Sequence, residues 1–438
     1  MLNMASIKQD ALWSFAASLV GTLSQILLMV LLARHLDQAS LGIFALLSIM
    51  LLLLGYLQDL GLSTFAVQYQ NLQPNDRTNL HLLSITLGAV ATALCLLSAP
   101  LAGWLYQSAV LTSLLTLLAP QLLLLGASTQ YHAEMLREGK LAKLAQIDIL
   151  SKIVAFALTL YLLLSFPPAL DALVYGQLTG AFLRLLLLWL ATKTPIHWRC
   201  TLDFPLWRAA LRFGLFQSGA QVIGFLRNRV DQLIIGKLLG LEALGLYSLA
   251  KDIIQQPPRL LNPVIQRVLL PRFSRRTDAT ELFQQSLRLN LQLNTVVYAG
   301  LALISSPLVL WLFGESYQQA AVLLCIFALY GMIKPSGMVL STYCQSMGRS
   351  DVEFYWNLWA SLVMVSLVSL SAALSNLYWV ALVLSAVQFV LSCYAQHYFS
   401  QRGAAPKSGN LCRQAAPYVL LTLAASSTGI MLNPAVLF

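Results

Sequence analysis

The sequence predicts an all-α polytopic membrane protein made of two parallel six-helix repeats, an extra C-terminal segment and a cytoplasmic N-terminus. Three observations carry the prediction. Apolar residues are 58% of the 438 positions and charged residues 10%, against roughly 45–50% and about 25% in a typical soluble domain. Thirteen apolar stretches reach or approach the roughly 20 residues with which a helix crosses the hydrocarbon layer. The ten residues from Ala33 to Gly42 recur in looser form 203 positions later, from Gly236 to Gly245.

The stretches run, in order, Ala11–Ala33, Leu41–Leu62, Leu82–Trp104, Val110–Tyr131, Ala145–Leu164, Ala169–Ala191 and Phe213–Ile235. Leu244–Leu270, Leu289–Trp311, Ala320–Met347, Phe354–Leu374, Leu377–Tyr398 and Ala415–Leu432 follow. Continuous apolar runs of this length belong to helices, because barrel strands would alternate. The first is too long for a secretory leader and lacks a small-residue cleavage pattern, so it reads as a retained anchor.

Basic residues set the expected orientation. Lys8, Arg77, Arg137, Lys140, Lys143, Lys193, Arg199, Arg208, Arg212, Arg267, Arg272, Arg275 and Arg276 fall on one side, with Arg349, Arg402, Lys407 and Arg413. The opposite connectors hold only Arg34 and Lys237. Loops rich in Lys and Arg face the cytoplasm, which puts the N-terminus inside. The same loops account for most of the net charge of +10, and no nucleic-acid partner is expected. The lobes are then residues 1–193 and 213–399, each of six segments, followed by a C-terminal loop and an expected thirteenth segment over 400–438. Between the lobes, 194–212 reads as a short interfacial helix, with Asp203 and Pro205 in helix-starting positions.

The 203-residue offset extends into the preceding segments, where Ser14, Ser18, Gly21 and Gln25 match Gln217, Gln221, Gly224 and Asn228. Spacings of four, three and four put these small or polar groups on one helical stripe. Two like halves with wet stripes suggest a transporter. The second half carries the charge: Arg227, Arg229 and Asp231 stand where the first has Ser24, Ile26 and Leu28, and Lys251 and Arg259 stand where it has Ser48 and Tyr56.

Charge near the bilayer centre is costly and marks pathways. Segment seven carries Arg227, Asn228, Arg229 and Asp231, and the four-residue spacing allows an Arg227–Asp231 pair. Segment eight carries Lys251, Gln255, Arg259, Asn262 and Gln266 on one face. Pro257 and Pro258 would loosen or kink that helix and leave carbonyls in need of partners. Such a stripe lines a cavity or glues two helices. Two cations without a carboxylate on it favour an anionic guest. Lys334 with Ser341 and Gln345, Arg184 in segment six and Asp59 in segment two extend the set, whereas Asp148 and Lys152 read as a local pair without function. The expected anion site is Arg227, Lys251, Arg259 and Lys334; Gln221, Asn228, Gln255 and Asn262 are the expected cavity-facing polar groups.

The run Val230-Asp231-Gln232-Leu233-Ile234-Ile235-Gly236-Lys237-Leu238-Leu239-Gly240, with Leu244-Gly245-Leu246-Tyr247-Ser248-Leu249-Ala250 behind it, resembles the central segment of the polysaccharide transporter family. So do Leu32-Ala33-Arg34, Leu41-Gly42, Gln58-Asp59-Leu60-Gly61-Leu62-Ser63 and Pro271-Arg272-Phe273-Ser274-Arg275. These are the Wzx-like bacterial flippases for O-antigen, exopolysaccharide or colanic acid units. Their superfamily also contains multidrug and toxin extruders and lipid II flippases. The resemblance implies two six-helix lobes around a cavity opening alternately to each side, in the cytoplasmic membrane of a bacterium. Its cargo would be a polyprenyl-diphosphate-linked oligosaccharide turned to the outer leaflet. The implied partners are membrane lipids, the polysaccharide polymerase with its chain-length machinery, and H+ or Na+ as coupling ion, for which Asp59 and Asp231 are the candidate carboxylates. Twelve or fourteen segments are common in the family, and an apparent thirteenth departs from that.

No phosphate-binding Gly-x-x-x-x-Gly-Lys-Ser/Thr pattern occurs, so no nucleotide drive is expected. A multidrug cation antiporter would share the fold but should present acids to its cavity. A membrane polymerase or ligase would need a sizeable external loop, which the connectors Trp104–Ala109 and Ser165–Asp171 do not supply. Cys95, Cys200, Cys325, Cys344, Cys393 and Cys412 lack metal or redox spacing; no metal, cofactor or catalytic group is expected.

Overall fold

The computed structural model describes residues 4–69, 72–165, 170–192, 202–274, 279–374, 376–406 and 411–433. Its helices in order are α1 (Met4–His35), α2 (Gln38–Asp59), α3 (Leu62–Gln68), α4 (Pro74–Tyr106), α5 (Ala109–Leu118), α6 (Pro120–Arg137), α7 (Leu141–Ser165) and α8 (Asp171–Ala191). They continue as α9 (Phe204–Leu238), α10 (Leu241–Ser274), α11 (Thr280–Leu303), α12 (Ser305–Phe313), α13 (Gln318–Ile333), α14 (Ser336–Ser346), α15 (Ser350–Leu374), α16 (Leu377–Gln401) and α17 (Leu411–Met431). No strand occurs among the described residues.

The described part of each expected apolar stretch is mainly helical, with breaks at Leu60–Gly61, Ala119, Ile304 and Lys334–Pro335, and the helices are not equally apolar. Among the described residues, nine spans are long and apolar enough to cross a membrane, and the bent pair α11–α12, turned by 65°, makes a tenth. The thirteen expected crossings are therefore not all equally supported. α9 and α10 have the length, at 35 and 34 residues, and fall short because they carry the charged stripe. α17 falls short as well, yet it packs on α11 and α13, where Ser426 Oγ donates to the Cys325 carbonyl at 2.9 Å.

Helix ends follow local chemistry. Gln73 and Asp76 close a capping box at the start of α4, which satisfies two orphan amides. Ser108 accepts from the Leu111 amide at 3.2 Å, and Asn376 from that of Trp379 at 3.2 Å. Asp203 accepts from the Leu206 amide at 3.0 Å, so the expected helix start is correct. The expected separate linker helix is not: from Phe204 the helix continues without a break through Leu238, because nothing between Arg212 and Phe213 ends it. Residues 193–201 of that connector lie outside the described residues.

The chain forms two compact units: residues 1–36 with 43–229, and residues 37–42 with 230–438. The division thus falls inside α9, after Arg229, and not in the connector. In the first unit α4 packs on α6, α7 on α8, and α1 on α7. Leu60 and Gly61 adopt left-handed backbone (φ 39° and 66°) between α2 and α3; Gly214 of α9 packs against the Leu60 carbonyl, and Gln217 Nε2 donates to Thr64 Oγ1 at 3.0 Å. In the second unit α13 is the most enclosed span, surrounded by α10, α11, α16 and α17. There Gly42 lies against the Leu241 carbonyl and Gly245 against that of Gln38. The contact is reciprocal, since positions 38 and 241, like 42 and 245, are 203 apart. A Cβ on either glycine would overlap the facing carbonyl oxygen.

Candidate functional site

The charged end of α9 and the stripe on α10 build the site in the second unit. A turn at Leu239–Gly240 joins the two helices, Gly240 at φ 91°. Asp231 stands nine residues before that glycine and Lys251 eleven after it, so the turn brings them together. Lys251 Nζ donates to Asp231 Oδ2, and the phenol of Tyr247, one turn before Lys251, donates to the same oxygen at 2.5 Å. Asp231 is 6% exposed and Lys251 2%. Asp231 Oδ1 has no hydrogen-bond donor among the described residues. Two expectations change. Asp231 pairs with Lys251 across the turn, and Lys251 is held in that pair and is not presented to a guest.

Tyr247 meets the edge of Phe327 at 5.2 Å, and Phe327 neighbours Tyr330 at 6.3 Å. Lys334, at the break between α13 and α14, donates from Nζ to the Tyr330 hydroxyl at 2.5 Å and lies 4.8 Å from its ring centroid. Asp231, Tyr247, Lys251, Tyr330 and Lys334 therefore form one neighbourhood. Sequence reasoning missed Tyr247 and Tyr330. Each lies four residues before a singled-out lysine, and that spacing is the signal that could have found them.

Farther along α10, Arg259 approaches Gln255 Oε1 at 3.4 Å and Asp252 Oδ1 at 3.8 Å, with 35% of its side chain exposed. The stripe is thus not free of carboxylates as expected, since Asp252 leans onto its central cation. Gln266 Nε2 reaches Gln345 Oε1 at 3.4 Å; Gln345 donates to Ser341 and to Glu353, each at 3.2 Å, and Ser341 donates to Glu353. Asn262 is half-buried on the same stripe. Pro258 cannot donate to the Ile254 carbonyl, and Tyr298 of α11 does so in its place at 2.8 Å. The helix therefore stays unbroken.

The remaining expected residues lie in the first unit. Gln221 is exposed, Arg227 is half-buried, and Asn228 is turned back onto the Gly224 carbonyl at 2.8 Å. Asp59 ends α2 and accepts from Ser63 Oγ at 3.1 Å. Arg184 pairs with Asp148 at 2.8 Å and reaches Ser128 at 3.3 Å, so Asp148 serves Arg184 and not Lys152. Lys152 instead lies beside Gly21 of α1.

The fold is that of a multi-pass helical membrane protein, with charged groups buried in its second unit. The structure is similar to the lipid II flippase MurJ in an inward closed conformation (TM-score 0.71, 12% identity, 96% of this chain and 98% of that one). It is also similar to an inward-facing multidrug resistance MATE transporter of the MOP superfamily (TM-score 0.68, 15% identity, 87% and 94%). These likenesses concern the fold. A family profile described as "Polysaccharide biosynthesis protein" matches residues 31–322. The amylovoran biosynthesis protein AmsL of Erwinia amylovora is 31% identical over 77% of this chain and 88% of its own length. The lipopolysaccharide biosynthesis protein WzxC of Escherichia coli K12 is 25% identical over 87% and 78%. The chain belongs to this polysaccharide biosynthesis family.

Proposed function

We propose that the protein is a flippase that carries lipid-linked oligosaccharide units, joined to a polyprenyl diphosphate, from the cytoplasmic to the periplasmic leaflet of a bacterial inner membrane. The observation that carries this reading is the family match across both charged helices, on a fold shared with a lipid II flippase. Alternating access by two six-helix lobes, with the N-terminus inside, is the working mechanism. The transport role also agrees with a relative named as a succinoglycan biosynthesis transport protein, ExoT of Rhizobium meliloti.

Arg259 and Lys334 of the second unit hold the diphosphate through charge-assisted hydrogen bonds. Gln255 and Asn262, beside Arg259 on α10, meet sugar hydroxyls. Asp231, paired with Lys251, and Asp59, bonded to Ser63, are the carboxylates assigned to coupling with H+ or Na+.

The test is complementation of a strain lacking its oligosaccharide flippase, scored by surface polymer at matched protein levels. The intact gene restores polymer; Arg259→Ala and Lys334→Ala each reduce it at least about tenfold, the effect of one lost charge-assisted hydrogen bond. Normal polymer from both variants removes the anion site, and cationic-dye resistance from the intact gene without polymer removes the cargo assignment.

A further inference from the structure

A groove of about 810 Å³ lies between α15 and α16 in the second unit, apart from the α10 stripe. On α15 it is lined by Asp351, Tyr355, Leu358, Trp359 and Leu362, and on the antiparallel wall by Arg402, Tyr398 and Tyr394. Residues 351 to 362 span three helical turns, roughly 16 Å. Along that length both walls change in the same order, from charge at one end to phenol and indole, with leucine at the far end of α15. Tyr355 is 63% exposed and Leu362 62%, so no helix among the described residues covers the groove.

The charged mouth is built, not incidental. Arg349 donates from Nε and Nη2 to Asp351 at 3.1 and 3.3 Å. Its Nη1 donates to the Arg402 carbonyl at 3.0 Å, tying the start of α15 to the end of α16. The Arg349 charge is thereby matched by Asp351. Arg402 has no carboxylate partner among the described residues. Its guanidinium stacks 3.9 Å above the Tyr398 ring, which orients the plane and leaves the N–H edges for an acceptor.

We propose that this groove holds one anionic glycerophospholipid of the bilayer, its phosphate on Arg402, its glycerol region among Tyr394, Tyr398 and Trp359, and an acyl chain along Leu358 and Leu362. The order of surfaces matches the order of groups along such a lipid. Aromatic side chains favour the interfacial depth, and basic pockets at the cytoplasmic side take acidic headgroups. Arg349 and Arg402 both lie in connectors that the basic-residue asymmetry assigns to the cytoplasm, so the lipid comes from the inner leaflet. The groove fixes the end of α16 to the start of α15 through a bound lipid.

The full chain, purified in mild detergent, is titrated with phosphatidylglycerol or phosphatidylcholine of equal acyl chains, and retained lipid is read by native mass spectrometry. One phosphatidylglycerol is retained with about tenfold preference, the ratio given by one charge-assisted hydrogen bond. Arg402→Ala abolishes the preference and Arg402→Lys restores part of it; Trp359→Ala weakens retention of both lipids. Equal retention by the unaltered protein overturns the proposal without any variant. So do an unchanged preference in a monodisperse Arg402→Ala protein and one-for-one displacement of the lipid by a polyprenyl diphosphate, which would give the groove to the cargo.

Discussion

Lys251 is the residue whose surroundings most constrain the mechanism. A lysine 2% exposed, against a carboxylate 6% exposed, is stable only as a pair, and removal of one partner strands a buried charge at a cost on the order of 3–5 kcal/mol. Lys251→Ala and Asp231→Ala should each lower the apparent melting temperature in detergent, while Lys251→Met with Asp231→Leu should recover most of the loss. The double variant also separates two roles: a merely structural pair leaves surface polymer intact, and a pair that takes part in transport gives stable protein without polymer. The presence of polar and charged groups on α9 and α10 was legible from spacing, since 251, 255, 259, 262 and 266 mark one helical face. Their partners were less so. A residue four positions away always offers a pairing on paper, as Arg227 did for Asp231, but the turn at Gly240 decides which side chain arrives first. Arg184 was likewise read as an interior cation because its partner Asp148 is 36 positions away, and only the packing of α7 on α8 joins them.

At the scale of an element, α10 shows how a helix tolerates two adjacent prolines. The sequence announces that carbonyls will be left over; it does not say that Tyr298, 44 positions on, will reach one. Tyr298→Phe should destabilise the protein by about 1–3 kcal/mol, the cost of a buried acceptor left unsatisfied. Pro258→Ala restores the helical donor, so the Tyr298→Phe penalty should shrink in that background, a coupling that a double-mutant cycle of thermal stability measures. The start of α2 and the start of α10 make a second element-scale device. Gly42→Ala and Gly245→Ala each push a methyl into a backbone carbonyl that cannot rotate away, and each should reduce folded yield in the membrane, whereas Gly219→Ala, with open space around it, should not. The repeat offset pointed to both glycines beforehand. It gave no reason for them, because backbone against backbone leaves no trace in side-chain pattern.

For the whole molecule, composition and run length were enough to give the membrane class and the helices, and the motifs around Asp231 and Gly245 were enough to give the family. Which residues group into compact units was not legible. Periodicity reports the face of a helix and says nothing about which bundle a given turn joins. The doubled sequence invites the view that the polypeptide is two modules in tandem, separable at residue 201. The grouping of residues contradicts that picture. A fragment ending at 201 takes with it residues 37–42, which the second unit needs, and leaves behind residues 204–229, which the first unit needs. The halves have traded pieces, as two people who have swapped keys can each open only the other's door. Neither fragment expressed alone should accumulate, both should survive when made together in one membrane, and stable accumulation of a lone fragment would show that the exchange is dispensable.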